Sequence, residues 1–454
     1  MSPPSVHPPG LDAPSLAAPT LGEATRVWAR IGLLSFGGPA GQIALMHREL
    51  VENRRWIGEA RFLHALSYCM LLPGPEAQQL ATYVGWLLHG RRGGLIAGLL
   101  FILPGVLIML GLSTLYVLYH QAPLTGALFH GLKAAVLAVV LDAVLRVGKR
   151  ALRGWHGLAM AGAAFLALAV GHVPFPVVVL AAGLIGMAAR PAFAPTAAPA
   201  APAGGALLDR QLDAAVPAHA QPSRRRALST LALWLPLWLG PLAVLRLATG
   251  ADSVWTHLAL FFSGMALVTF GGAYAVLSYV AQAAVTGYGW LTPGEMIDGL
   301  GLAETTPGPL VLVLQHVGFL AAAHTPGTLS PLLAGFLGAL LTSWVTFAPC
   351  FLWIFLGGPY VERVRTHTTI TAALAAITAA VVGVILNLAV WFGGHVLFSG
   401  SRPLHLGPLA LPLPTGLDIP AALLALLAFI ALRHTRLGLL PTLAACAAAG
   451  LVFS

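Results

Sequence analysis

Apolar residues run along this chain in blocks too long for a soluble fold. A bilayer-spanning helix needs roughly 20 predominantly apolar residues, and stretches at 93–119, 123–145, 155–171 and 173–189 predict four such helices. A second series follows at 228–249, 330–356, 368–397, 418–432 and 437–453, and some members of both series fall short of that length. Two further apolar stretches, 31–46 and 62–88, are interrupted in their middle by Phe36-Gly37-Gly38-Pro39 and by Pro73-Gly74-Pro75. Two prolines around a glycine cannot continue a helix, because each proline lacks an N–H and the glycine is pliable. Arg26/Arg30, Arg48–Arg61 and Arg91/Arg92 flank these stretches, so each is expected to enter and leave on one side as a re-entrant hairpin. Broken spanning helices would change the count.

Composition strengthens this pattern. The chain has 454 residues, 58% hydrophobic and 9% charged, with a mean hydropathy of +0.84; soluble domains carry roughly 25% charged residues. A water-soluble enzyme, a nucleic-acid binder and a disordered scaffold are excluded together. The formal charge of +9 does not signal nucleic acid, because the basic residues sit between apolar runs, as in polytopic membrane proteins. Cys69, Cys350 and Cys446 are too scattered for a disulfide framework or a metal site. The expected class is an all-α, multi-pass integral membrane protein with the lipid bilayer as its partner.

Four segments follow. Residues 1–22 read as a Pro/Ala-rich disordered tail, 23–189 as one membrane repeat, 190–226 as a flexible cytoplasmic linker and 227–454 as a second repeat. The repeats share rare tokens in one register: Ser35-Phe36-Gly37-Gly38 with Thr269-Phe270-Gly271-Gly272, Trp56 with Trp290, and Pro73-Gly74-Pro75 with Pro307-Gly308-Pro309, all 234 residues apart. Beyond an 11-residue insertion, Pro104 matches Pro349, Asp142 matches Asn387 and Gly148 matches Gly393. The loop with Arg48, Arg54, Arg55 and Arg61 should be cytoplasmic, whereas its counterpart, 281–295, has no Lys or Arg. The repeats are therefore expected to be inverted, as in many secondary transporters.

The interrupted segments carry the candidate chemistry. A helix restarting after Pro75 or Pro309 directs unpaired N–H groups and its positive dipole end at the break, a setting for anions. Ser35 and Thr269 add a hydroxyl beside each Gly pair, although adjacent glycines equally suit close helix packing. Candidate binding residues are Ser35, Gly37, Gly38, Pro73, Gly74, Pro75, Glu76, Gln78, Thr269, Gly271, Gly272, Glu304, Thr305, Thr306, Pro307, Gly308 and Pro309. Glu76 and Glu304 could carry protons or anchor backbone N–H groups. Lys133 lies within a span, where an ionisable residue is a functional candidate; it could attract a dianion or serve as an inter-helix charge. It should not pair with Asp142, about half a turn out of phase. Arg54 and Arg55 could concentrate anions at a cytoplasmic mouth, though positive-inside topology explains them equally. A lone His316 reads as packed and hydrogen-bonded. No HExxH, CxxC, P-loop or Rossmann pattern occurs, so no metal, cofactor or nucleotide is expected.

Ser35-Phe36-Gly37-Gly38-Pro39, Arg54-Arg55-Trp56, Leu72-Pro73-Gly74-Pro75-Glu76 and Leu302 to Leu310 resemble the chromate ion transporter family. The two-halved length is similar to its long-chain members, and the resemblance runs from about Glu23 onward. It implies chromate efflux and chromate resistance, with sulfate as the chemical analogue and other anions as alternatives. A bacterial inner (plasma) membrane location is expected, and a homodimer is compatible. Glu76 faces Leu310 in the motif match, so the two hairpins should not do identical work. An intramembrane enzyme would need a nucleophile–base pair or a metal cluster, and the sequence displays neither; a membrane sensor should tolerate loss of the Pro-Gly-Pro break, whereas a transporter should not.

Overall fold

The computed structural model describes residues 18–152, 154–193, 206–214, 217–270, 272–361, 368–406, 409–435 and 437–453. Candidate residue Gly271, most of the expected N-terminal tail and the charged stretch Glu362–Arg365 lie outside the described residues. The chain is a helical membrane bundle. Its first half contains α1 (Leu21–Leu34), α2 (Gly38–His47), α3 (Glu59–Cys69), α4 (Glu76–Tyr119), α5 (Pro123–Ala151), α6 (Gly154–Ala169) and α7 (Phe175–Ala188). A short helical turn, α8 (Arg190–Phe193), and α9 (Leu207–Ala214) lie in the segment between the halves. The second half contains α10 (Arg224–Thr249), α11 (Val254–Val268), α12 (Ala273–Gln282), α13 (Pro293–Glu304), α14 (Val313–His324), α15 (Pro331–Gly357), α16 (Thr368–Val396), α17 (Ile419–His434) and α18 (Leu439–Phe453).

Among the described residues five helices are long and apolar enough to cross a membrane, namely α4, α5, α10, α15 with its terminal turn, and α16. Shorter apolar helices, including α6, α7, α17 and α18, surround them. Leucines and valines such as Leu107, Leu180, Val244 and Leu247 point outward. That outward face suits hydrocarbon, where side chains need no polar cover and backbone groups must pair within the helix. The interrupted stretches form helix pairs, α1 with α2 and α3 with the start of α4. At His89–Gly90 the backbone of α4 leaves helical geometry. The chain then doubles back: Gly85 packs on Gly93, and Gly98 on the Thr82 side chain. The segments before and after Gly90 thus run antiparallel.

Two features go beyond the sequence pattern. A β-hairpin, β1 (Phe398–Leu406) paired antiparallel with β2 (Leu409–Leu417), joins α16 to α17. The 190–226 segment includes an ordered part. Leu207 and Leu208 donate backbone N–H bonds to the carbonyls of Arg55 (3.1 Å) and Trp56 (2.9 Å), and Arg61 binds Asp209 at 2.8 Å. His219 stacks edge-on against Trp86. Thr20 and Glu23 form a reciprocal capping box at the start of α1, whose first residue is Leu21.

Candidate functional site

The four helix breaks meet in crossed pairs. Gly308 donates its N–H to the Ser35 carbonyl at 2.8 Å, and Gly74 donates to the Thr269 carbonyl at 2.8 Å. Each Pro-Gly-Pro of one half is therefore tied to the Phe-Gly-Gly of the other. Both glycines have positive φ, 124° at Gly74 and 93° at Gly308, a region costly for a residue with a β-carbon. Each Pro-Gly-Pro break also packs on a proline-containing helix of the opposite half. A β-carbon on Gly105, beside Pro104 of α4, would collide with the Pro307 carbonyl. One on Gly74 would stand 2.9 Å from Cys350 Sγ, beside Pro349 of α15.

Local geometry repeats at the spacing of the sequence match. Phe36 N–H bonds to Leu34 O and Phe270 N–H to Val268 O; Trp56 N–H bonds to Leu50 O and Trp290 N–H to Ala284 O. π-helical turns occupy Arg48–Asn53 and Ala283–Gly287. Arg55 (φ 51°) and Gly289 (φ 63°) take the same left-handed conformation.

The hydroxyls expected beside the Gly pairs are already engaged. Ser35 Oγ donates to Ile31 O at 2.6 Å and Thr269 Oγ1 to Met265 O at 2.5 Å. Thr305 and Thr306 likewise donate to Leu302 and Ala303 carbonyls. The Gly74 and Gly308 N–H groups are used in the crossed bonds. The free donors at the breaks thus belong to the first turns of the restarting helices, where no i−4 carbonyl is available. Gly37 and Gly272 precede two of these turns, Gly38 being the first residue of α2, and Pro75 and Pro309 precede the others. Pro73 O accepts from Gln79 at 2.7 Å, and buried Gln78 donates to Thr82 at 3.1 Å.

The two carboxylates differ. Glu304, 3% exposed, accepts a 2.6 Å bond from Tyr274 in the first turn of α12. Glu76, 8% exposed, accepts from its own backbone N–H at the start of α4, and its Oε1 lies near Gly272. Lys133 belongs to another cluster, at 3.3 Å from Asp298, which also accepts from Tyr116 OH at 2.9 Å. Asp142 pairs instead with Arg146 at 2.7 Å and Arg433 at 3.5 Å. Buried His316 bonds Ser113 at 2.9 Å. Arg54 binds Glu49 at 2.7 Å and lies over Trp56, while Arg55 is exposed. Lys133, Arg54 and Arg55 therefore stand apart from the crossed breaks.

Sequence reasoning passed over Gln42, Tyr274 and Asp298. Asp298 is a charge within an apolar run, the signal that singled out Lys133. Gln42 donates to Gly308 O at 2.5 Å, and nothing in its sequence context indicates that partner. Among the described residues no group of three or more His, Cys, Asp or Glu could hold a metal.

The chromate transporter family profile matches residues 22–187 and 256–451. This chain belongs to the chromate transporter family. It is 34% identical to a chromate transport protein of Pseudomonas aeruginosa over 78% of this chain and 77% of that one. It is 28% identical to a probable chromate transport protein of Synechococcus elongatus over 90% and 88% of the two chains. An uncharacterized transporter of Bacillus subtilis is 36% identical over 135 residues, which are 29% of this chain but 68% of that one. That relative is thus a chain less than half as long. No solved structure matches this transporter.

Proposed function

We propose that this transporter exports chromate from the cytoplasm by alternating access between two inverted repeats. The crossed bonds, Gly74 to Thr269 and Gly308 to Ser35, carry the reading. They couple each break to the opposite repeat, so rocking one repeat against the other would reshape both at once. The oxyanion lies at the breaks, against the open first-turn N–H groups that follow Gly38, Pro75, Gly272 and Pro309, where backbone dipoles replace part of its water shell. Ser35, Thr269, Thr305 and Thr306 hold the surrounding backbone rather than the anion. The half-length Bacillus relative supports a duplicated origin.

Orientation follows from charge. Arg48, Arg54, Arg55 and Arg61 share one end of the bundle with α9 and the start of α10, and that end faces the cytoplasm of a bacterial inner membrane. Export then runs with the membrane potential. Two negative charges leaving an inside-negative cell release about 4.6 kcal/mol per 100 mV, from roughly 2.3 per charge. That sustains an outward ratio of about a thousandfold or more. Chromate accumulation in intact cells, with and without the protein, tests the direction. Lower accumulation in expressing cells, restored by collapsing the potential, is expected; equal or higher accumulation contradicts export. Excess sulfate in the same assay reports selectivity.

A further inference from the structure

A cavity of about 300 Å³ lies between α4, the turn at Ala218–Ala220, the start of α10 and the end of α15. None of its lining residues belongs to the crossed breaks. Arg91, His219, Ser223, Arg226 and Ser229 supply its polar lining, and Trp86, Phe355 and Leu356 its apolar wall. No carboxylate lines it among the described residues. Its size suits a small ligand.

The two guanidinium groups are only partly used. Arg91 donates through Nη2, to Ser229 at 3.2 Å and Thr230 at 2.9 Å. Arg226 donates through Nη1, to the Ala218 carbonyl. A guanidinium has five N–H donors, so both keep donors to spare, and neither makes an ion pair among the described residues. The Nε2 of His219 is buried without a hydrogen-bond partner. Positive-inside topology accounts for Arg224 and Arg225, which are exposed and do not line the cavity. It does not account for Arg226, which is partly buried and does. A tie between α4 and α10 explains the hydroxyl bonds of Arg91 and leaves the second guanidinium without a role.

We propose that this cavity binds a phosphate-like oxyanion between Arg91 and Arg226, with the Ser223 and Ser229 hydroxyls completing its shell. The fork of a guanidinium matches two oxygens of such an ion. Charge interactions in a partly apolar cavity are stronger than in water, so one dianion there offsets both cations. It also joins the linker turn, through Arg226, to α4, and so holds the linker docked. Two sources carry this chemistry: a free dianion such as sulfate, phosphate or chromate, and the phosphate of an anionic phospholipid. The anion chemistry stands on the cavity alone; its cytoplasmic side rests on the orientation proposed above.

Hydrogen exchange in residues 217–229 of the full-length purified protein tests the site. The free-ion arm compares sulfate, phosphate and chromate with chloride at equal ionic strength, in lipid-free detergent. The lipid arm compares phosphatidylcholine nanodiscs with and without phosphatidylglycerol, with chloride as the added anion. Exchange is expected to slow about tenfold in at least one arm, and Arg91→Gln/Arg226→Gln should abolish the slowing. Slowing in the first arm alone assigns a free oxyanion, in the second alone a lipid headgroup, and in both a site open to either. No slowing in either arm, or equal slowing in the double variant, overturns the site. Should the double variant not fold, Arg226→Gln, which keeps the Arg91 bonds to α10, is expected to lose most of the slowing; full slowing there overturns the site. The readout needs no flux, so failure of chromate export leaves it standing.

Discussion

Gly308 of the second half gives its backbone N–H to the Ser35 carbonyl of the first, at 2.8 Å, and Gly74 repeats the bond to Thr269. Both bonds require glycine at positive φ. Alanine at Gly74 would add about 1–3 kcal/mol of backbone strain and set a β-carbon 2.8 Å from Gln79 Nε2 and 2.9 Å from Cys350 Sγ. At Gly308 the nearest atom is the flexible Leu312 Cδ1, at 3.3 Å. Thermal melts in detergent should therefore rank wild type above Gly308→Ala, and that above Gly74→Ala. The reverse order would mean that the contacts at Gly74 relax more easily than its backbone geometry implies.

Gln42 supports one crossed bond only. Its amide donates to Gly308 O at 2.5 Å, and the matched position in the second half is Val276. Gln42→Leu leaves a buried carbonyl short of a donor, a loss of about 1–3 kcal/mol. Chemical denaturation of the purified variant measures it. Stability equal to wild type would show that water or another donor takes over.

Lys133 and Asp298 hold α5 to α13. The lysine side chain is 29% exposed and the aspartate 8%, so the pair lies between the surface and fully buried cases. A double-mutant cycle with Lys133→Met and Asp298→Asn should give a coupling of about 1 kcal/mol or more; Asn keeps an acceptor for Tyr116. Additive losses would mean that the ion pair does not contribute.

The docked linker is expected to respond to pH. Burial against Trp86 holds His219 below the ordinary imidazole range. The docked imidazole binds a proton less readily than the free one, whose value is about 6.5. Docking is therefore fully stable above that value and weakens as pH falls through it. Hydrogen exchange in residues 206–214 and 217–220, corrected for intrinsic rates, should quicken between pH 7.5 and pH 5.5. Protection that is unchanged, or that rises toward low pH, contradicts this.

Much of the fold was legible because lipid imposes a simple pattern. The expected spans at 228–249, 330–356 and 368–397 compare with helices at Arg224–Thr249, Pro331–Gly357 and Thr368–Val396. The interruptions were equally legible, since a proline that lacks an N–H leaves a sequence-level mark. Partners across the chain were not. Hydropathy says nothing of which carbonyl takes the Gly308 N–H, that the Ser35 and Thr269 hydroxyls turn back on their own helices, or that Glu304 meets Tyr274. Those pairings depend on how the halves cross. The ordered 207–214 helix was also obscured, because Ala- and Pro-rich neighbours dilute its Leu207, Leu208 and Asp209 contacts.

Chromate efflux from liposomes containing purified protein, under an imposed potential, tests the central claim most directly. Wild type should release chromate when the chromate-containing side is negative, and the rate should collapse when the potential is abolished. Replacing Pro73 and Pro307 with alanine, which restores helix-forming residues at both breaks, should reduce that flux at least tenfold. Wild-type flux no faster than from empty liposomes, or full flux in the double variant, would contradict transport through the crossed breaks.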